Sequence, residues 1–161
     1  MAAKKKTKTP NAPGKTAPRR SPAKARKKGA PPGVPTVSQF MTRTVQTIGR
    51  DQPLSLAHEL MNAHRIRHLP VLDGGKLVGL VSQRDLYFVE ALDNTSPDRV
   101  PVDEAMTQDV FETGPDTPLS DVVRTMLDKK YGCAVVTEGG QVVGVFSAID
   151  ALEAFLKFLE N

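Results

Sequence analysis

The sequence predicts a mixed α/β (α+β) fold built from two tandem units, each with the element order β-α-β-β-α. The main observation is an ungapped repeat: the run Gly79–Asp85 (GLVSQRD) recurs 65 positions later as Gly144–Asp150 (GVFSAID). Strand-like and helix-like apolar patterns also alternate in the same order around both runs. A repeat of this length indicates a duplicated supersecondary unit whose two copies bury a shared core.

The first unit begins with a strand and a helix. Residues 44–48, Thr-Val-Gln-Thr-Ile, have the composition of a short strand. Asp51-Gln52-Pro53 then signals a helix start, with Pro53 at the first helical position. The equivalent start in the second unit has Thr117 before its proline, and threonine is a better N-cap than glutamine.

A hairpin follows the helix. Two apolar runs, 68–72 and 76–81, are separated by Asp73-Gly74-Gly75, a sequence typical of tight turns between strands. Because Pro70 has no N–H, we expect its strand to lie at a sheet edge or to leave that position unpaired. Leu86 and Val89 continue at helical spacing, so the second strand of the hairpin leads into a helix.

Residues 1–35 differ from the rest in charge and composition. They contain eleven Lys or Arg residues, no Asp or Glu, and seven of the 13 prolines. Such a segment cannot bury enough apolar surface to offset its chain entropy, so we expect a disordered tail. The high pI belongs to this tail, because residues 36–161 have 11 basic and 18 acidic residues, a net charge of −7. We assign 36–97 to the first unit and 98–161 to the second.

The tail has the composition of a polyanion-binding segment and resembles the tails of linker histones and bacterial histone-like proteins. Scattered lysines on a flexible chain neutralise phosphates without reading bases. No aromatic residue lies among them, so base stacking is not available. Non-specific nucleic-acid binding and a solvated solubility tail are both open. The residues that would bind are Lys4, Lys5, Lys6, Arg19, Arg20, Arg26, Lys27 and Lys28.

The pattern Ser-x-x-Asp at Ser82–Asp85 and Ser147–Asp150 has two interpretations. A strand that leads into a helix N-terminus presents free N–H groups and a positive dipole end, which favour anions. There the serine could contact a phosphate and the aspartate a ribose hydroxyl. The same spacing is also a helix-capping pattern. For one copy alone capping is the better interpretation, and two copies are compatible with both.

Taken in order, these motifs resemble a tandem pair of cystathionine-β-synthase-type domains (CBS domains), also called a Bateman module. The matching features of the first copy are Met41-Thr42, Asp51-x-Pro53-Leu54, the run Ile66–Val71, the hairpin Asp73–Gly79 and Ser82-x-x-Asp85. The resemblance covers roughly residues 37–160. It implies pseudo-twofold packing of the two units around central clefts, homodimers, and binding of adenosine-containing ligands.

The resemblance also implies site residues. Ser82 and Asp85 would contact phosphate and ribose in the first unit, and Ser147 and Asp150 in the second. The adenine pockets would be lined by Thr47, Ile48, His68, Leu69 and Pro70 in the first unit and by Thr113, Gly114, Cys133, Ala134 and Val135 in the second. The expected ligands are AMP, ADP or ATP, with S-adenosylmethionine, NAD and cyclic di-AMP as alternatives.

We expect the two sites to differ in their affinity for phosphate. The first unit has Arg65, Arg67 and Arg84, whereas Ile149 stands at the position equivalent to Arg84. A guanidinium binds phosphate with bidentate geometry, and isoleucine cannot. The alternative for Arg84 is an exposed residue in the first turn of a helix.

The sequence has no catalytic constellation and no cluster with metal-ligand spacing, so we expect neither an enzyme nor a metal site. Cys133 is the only cysteine, which fits a reducing compartment such as the cytoplasm, and no membrane span or secretory leader is expected. The sequence therefore predicts a regulatory module that binds an adenine nucleotide and acts on an unidentified target enzyme or transporter. A ligand-free interaction scaffold and a nucleic-acid-associated protein anchored by its tail are the alternatives.

If the tail binds nucleic acid, the affinity of the full chain for duplex DNA should fall about a hundredfold or more between 50 and 200 mM salt, because each bound phosphate releases counterions. Residues 36–161 alone should not bind. Fluorescence anisotropy with labelled DNA measures both affinities. Binding by residues 36–161, or binding that does not change with salt, would contradict a role for the tail.

Overall fold

The computed structural model describes residues 30–93 and 96–160. The basic residues predicted to bind polyanions all lie outside these ranges, so the role of the tail stays a prediction. No helix of the described ranges has the length and apolar character needed to cross a membrane.

Each unit has the predicted order β-α-β-β-α, with one three-stranded sheet and two helices. The elements of the first unit are β1 (Ile48–Gly49), α1 (Leu54–His64), β2 (His68–Asp73), β3 (Lys76–Ser82) and α2 (Gln83–Asp93). Those of the second unit are β4 (Glu112–Thr113), α3 (Leu119–Lys129), β5 (Cys133–Glu138), β6 (Gln141–Ser147) and α4 (Ala148–Leu159). A short 3₁₀ helix precedes the sheet of each unit, at Val37–Gln39 and Val102–Glu104.

The middle strand of each sheet runs parallel to the first strand and antiparallel to the third. Pro70 therefore lies in the central strand, not at an edge, and the first of the two options for it is wrong. It faces Leu80, whose N–H and C=O both bond to Thr107 on the other side, at 2.9 Å each. Because Leu80 directs its backbone away from β2, β3 requires no N–H from Pro70. The N–H that proline lacks would point to the other side of β2, toward the segment before β1.

The predicted element starts need two corrections. β1 covers only Ile48–Gly49, since residues 44–47 run outside the sheet. In both units the first helix begins after the proline, which is itself the N-cap residue. Pro53 is therefore not the first helical residue, and Thr117 is not the N-cap of its helix. The reason is tertiary: the first helical N–H groups, of Leu54 and Leu119, donate to backbone carbonyls of Val100 and Pro35, each at 2.9 Å, so no side-chain cap is needed.

The segment that precedes each sheet pairs with the other unit. We call these two segments, which contain Thr42 and Thr107, the exchanged segments. Thr42 exchanges backbone hydrogen bonds with Val145 of β6 at 2.9 and 3.0 Å, and Thr107 does the same with Leu80 of β3. These two pairs are related by the 65-residue repeat, so the exchange follows the pseudo-twofold symmetry.

The exchange extends to the hydrophobic cores. The hydrophobic core of the first unit includes two residues from the segment before the second unit's sheet, Val100 and Val102. The core of the second unit includes Val37 and Met41 from the segment before the first. Neither core is complete without a segment that precedes the other unit's sheet, so the two units are expected to fold together.

Two glycines allow this close approach. A Cβ atom built on Gly79 would lie 3.0 Å from Cγ of Met106, and one built on Gly144 would lie 2.9 Å from Cγ of Met41. Both methionines belong to the exchanged segments. A side chain at either glycine would therefore push an exchanged segment away from the strand it crosses.

Gly79→Ala and Gly144→Ala should each lower the free energy of unfolding by about 1–3 kcal/mol, because the added methyl group overpacks the contact with methionine. Gly114→Ala is the matched control, since the nearest atom to its new Cβ is Thr117 Oγ1 at 3.9 Å. Chemical denaturation measures all three values. Equal stability of the three variants would contradict the proposed tight contact.

Candidate functional site

A cleft of about 880 Å³ lies between the two units, where the N-termini of α2 and α4 meet the exchanged segment of the first unit. Its lining includes both Ser-x-x-Asp pairs, Ser82 with Asp85 and Ser147 with Asp150. Its size is in the range of cavities that hold small ligands. The repeat thus brings the two motifs to one shared cleft.

Both pairs have capping geometry. The Ser82 N–H and Oγ–H donate to Asp85 Oδ2 at 2.9 and 2.6 Å, and Asp85 N–H donates back to Ser82 Oγ at 3.3 Å. The equivalent distances for Ser147 and Asp150 are 2.6, 2.5 and 3.4 Å. The capping interpretation of the sequence is therefore confirmed. Each cap uses one carboxylate oxygen, Oδ2, and leaves Oδ1 for another partner.

The second oxygen distinguishes the two carboxylates. Asp150 Oδ1 accepts a hydrogen bond from the Thr42 hydroxyl at 3.2 Å. Thr107, the equivalent of Thr42, uses its hydroxyl oxygen to accept from the N–H of Asp109 at 3.3 Å instead. Within residues 30–93 and 96–160, Asp85 Oδ1 has no such donor. Asp85 Oδ1 therefore offers both of its lone pairs to a ligand hydroxyl, whereas Asp150 Oδ1 already uses one of its two for Thr42.

Four cationic side chains line the cleft: Arg65, Arg67, Arg84 and Lys130. They are exposed, and in the part of the chain that the structure describes none of them forms an ion pair. Arg84 lines the cleft and is also an exposed residue in the first turn of α2, so the structure fits both interpretations of this residue. Unpaired cations beside helix N-termini make this part of the cleft favourable for a phosphate group.

His68 is half-buried in the wall of the cleft and faces Gly132 of the other unit. Burial lowers the pKa of His68, the nearby Arg67 lowers it further, and Asp85 opposes the shift. A pKa below the ordinary value keeps the imidazole mostly neutral at pH 7. The ring therefore adds a flat, uncharged surface beside the cations.

Several residues of the predicted adenine pockets do not line this cleft. Ile48, Pro70 and Ala134 are buried in the units. Thr113 is 4% exposed and its hydroxyl donates to Thr117 Oγ1 at 2.8 Å. Thr47 also lies outside the lining, which instead includes the three residues before it, 44–46.

Cys133 is buried as well, and its thiol is not suited to nucleophilic chemistry. Burial, with a smaller contribution from Asp150, raises its pKa to about 12, so the sulfur stays protonated near neutral pH. Among the described residues, no group of His, Cys, Asp and Glu side chains could hold a metal ion.

Thr42 and Gln46 also line the cleft, and neither was predicted as a site residue. The sequence contains a pattern that points to each of them. Met-Thr occurs in each repeat, at 41–42 and 106–107, which marks Thr42 as part of the repeated unit. In the second unit the Val135 N–H donates to the carbonyl of Phe111 at 2.9 Å. Pro70 stands at the position of Val135, so the carbonyl of Gln46, a residue that lines the cleft, lacks that donor.

Comparisons with known proteins agree with this architecture. A family model for the CBS domain matches residues 37–91 and 102–157. The chain is 35% identical over 118 residues to inosine-5'-monophosphate dehydrogenase of Korarchaeum cryptofilum, a match that covers 73% of this chain and 24% of that protein. The chain therefore spans about a quarter of that relative's length.

Two solved structures are similar over most of their length. A putative acetoin utilization protein (AcuB) from Vibrio cholerae has a TM-score of 0.72 and 33% identity, and the match covers 79% of this chain and 94% of that one. CBSX2, solved in complex with AMP, has a TM-score of 0.64 and 26% identity, with 76% and 97% covered. The two matched domains, the repeat and the shared cleft show that this chain belongs to the CBS-domain family and carries a tandem pair of these domains.

Proposed function

We propose that this protein is a regulatory CBS pair that binds one adenosine-containing nucleotide in the cleft between its units. The observation that carries the proposal is the juxtaposition of a free carboxylate oxygen, Asp85 Oδ1, with cationic side chains that have no ion-pair partner among the described residues. A ribose supplies hydroxyl donors for the carboxylate, and its phosphates supply anions for the cations.

Each part of a nucleotide has a matching group in the cleft. The ribose hydroxyls would donate to Asp85 Oδ1. The phosphate would lie at the N-terminus of α2, where the helix dipole and Arg84 favour negative charge. The adenine would pack against neutral His68, with the free carbonyl of Gln46 as an acceptor for its amino group.

The comparisons support an adenosine-containing ligand without identifying it. CBSX2 was solved with AMP, and its CBS pair is similar to this chain over 76% of the chain's length. AMP, ADP and ATP are the ligands we favour, ahead of S-adenosylmethionine, NAD and cyclic di-AMP, because the cations of the cleft favour a phosphate.

Regulation would follow from the position of the cleft between the units. A ligand that contacts α2 of the first unit and Lys130 or α4 of the second stabilises one packing of the units over others. The difference in affinity between packings sets how strongly binding changes the surface offered to a target enzyme or transporter.

We further propose that two copies associate through α2 and α4. Both helices expose large apolar side chains: Tyr87, Phe88, Ile149, Leu152, Phe155, Leu156, Phe158 and Leu159. This number of exposed large apolar side chains on two helices is unusual on a monomer and typical of an interface. A second copy of the chain is the partner that offers a matching surface, as isologous dimers do.

The two caps allow a matched test of the nucleotide site. Asp85→Asn should weaken AMP or ATP binding about tenfold or more, because an amide replaces the ionised acceptor of the ribose hydroxyls. Asp150→Asn should change affinity by less than about threefold, since Thr42 already occupies its second oxygen. Isothermal titration calorimetry measures both. Equal affinities for the two variants and the unmodified chain would contradict the role of Asp85. Absence of nucleotide binding to the unmodified chain would favour the ligand-free scaffold, in which both pairs serve only as caps.

The interface has its own test. Phe158→Glu should convert the dimer to a monomer at micromolar concentration, because a charge replaces an aromatic side chain that is 76% exposed in the single chain. Leu127→Glu, on α3, is the control, since Leu127 is 65% exposed on a different helix. Sedimentation equilibrium distinguishes the two. A monomeric unmodified chain would contradict the proposal.

A further inference from the structure

We infer that Arg65 and Lys130 form a phosphate clamp that makes the cleft selective for nucleotides with two or more phosphates. The inference rests on the proposed nucleotide site and names the ligand class that the site prefers. Among the described residues, each unit has one non-glycine residue with a positive φ angle, and these two residues are Arg65 and Lys130.

Arg65 and Lys130 are the only non-glycine residues with positive φ in the described ranges, at φ 54° and 61°. Each ends an 11-residue helix, α1 or α3, and the two positions are related by the repeat. The turn itself requires this conformation, because the next N–H groups, of Ile66 and Tyr131, donate back to Met61 and Met126 at 2.9 and 3.0 Å.

Glycine normally occupies such a position because it adopts positive φ without a Cβ clash. A cation at a helix C-terminus gains some stability from the helix dipole, but glycine suits the backbone of the turn better. Both units therefore keep a cationic side chain here at the cost of positive φ, and the place that these side chains reach indicates a use for the charge. Both side chains line the cleft, one from each unit.

The charge of the cleft indicates what they bind. A single phosphate at the α2 N-terminus is already served by Arg84 and by the helix dipole. Three carboxylates also line the cleft, those of Asp85, Asp150 and Glu153. Among the described residues Arg65, Arg67 and Lys130 form no ion pair with them or with any other carboxylate, so these three cations are available for additional phosphates. The cleft volume of about 880 Å³ leaves room for a nucleoside triphosphate.

The clamp can be tested with substitutions that suit the turn. In the intact chain, Arg65→Gly and Lys130→Gly should leave the Tm unchanged or raise it, because glycine removes the strain of positive φ. Each should weaken ATP binding about tenfold and AMP binding by less than about threefold. The charge-preserving variants Arg65→Lys and Lys130→Arg should keep ATP affinity within about threefold.

Calorimetry with AMP, ADP and ATP in magnesium-free buffer measures these affinities, with Arg124→Gln on α3 as a control for loss of an exposed charge outside the cleft. The unmodified chain should bind ATP and ADP at least about tenfold tighter than AMP. Equal affinity for AMP and ATP, or equal losses for both in the glycine variants, would overturn the clamp and leave the nucleotide site intact. Failure of all three nucleotides to bind would overturn the site itself.

Discussion

The reciprocal backbone pairing of Thr42 with Val145 and of Thr107 with Leu80 is the interaction on which the rest of this structure depends. Each pair joins a segment that precedes one sheet to the last strand of the other. The glycines at 79 and 144 make room for the methionine side chains carried by these segments. Without this exchange each hydrophobic core would lose residues such as Val37 or Val102, and the two sheets would have no fixed relation.

The cleft is a consequence of the exchange. Because each unit contributes the end of its third strand to the contact, the helices that follow both third strands begin at the same cleft. The same contact also breaks the symmetry. The Thr42 hydroxyl reaches Asp150, whereas the Thr107 hydroxyl turns to its own backbone, so the two equivalent carboxylates have different free oxygens. In a pair of similar motifs, the second oxygen of Asp150 thus already accepts from Thr42, whereas that of Asp85 has no donor among the described residues.

Local patterns predicted the elements well because they depend on neighbours in sequence. The 65-residue offset placed the helices, the hairpins and both Ser-x-x-Asp caps. The errors came from contacts between distant segments. The side-chain N-cap expected at Thr117 was replaced by the carbonyl of Pro35, more than 80 residues away. A proline is tolerated in the central strand at Pro70 because its partner Leu80 bonds to Thr107. The Thr42–Asp150 contact spans 108 residues, and no local pattern carries it. The cations of the cleft were visible in the sequence, but their convergence required the fold.

The central claim is that this cleft is the input of a nucleotide-responsive module, and the most direct measurement is thermal unfolding of the intact chain with AMP, ADP, ATP, S-adenosylmethionine, NADH and cyclic di-AMP. A ligand at a hundred times its Kd adds about 2.7 kcal/mol to the free energy of unfolding. For a chain of this size that corresponds to a rise of roughly 5–11 °C in Tm. We expect one cooperative transition that rises with at least one phosphate-bearing adenine nucleotide. A Tm that does not change with any of the six would contradict the claim.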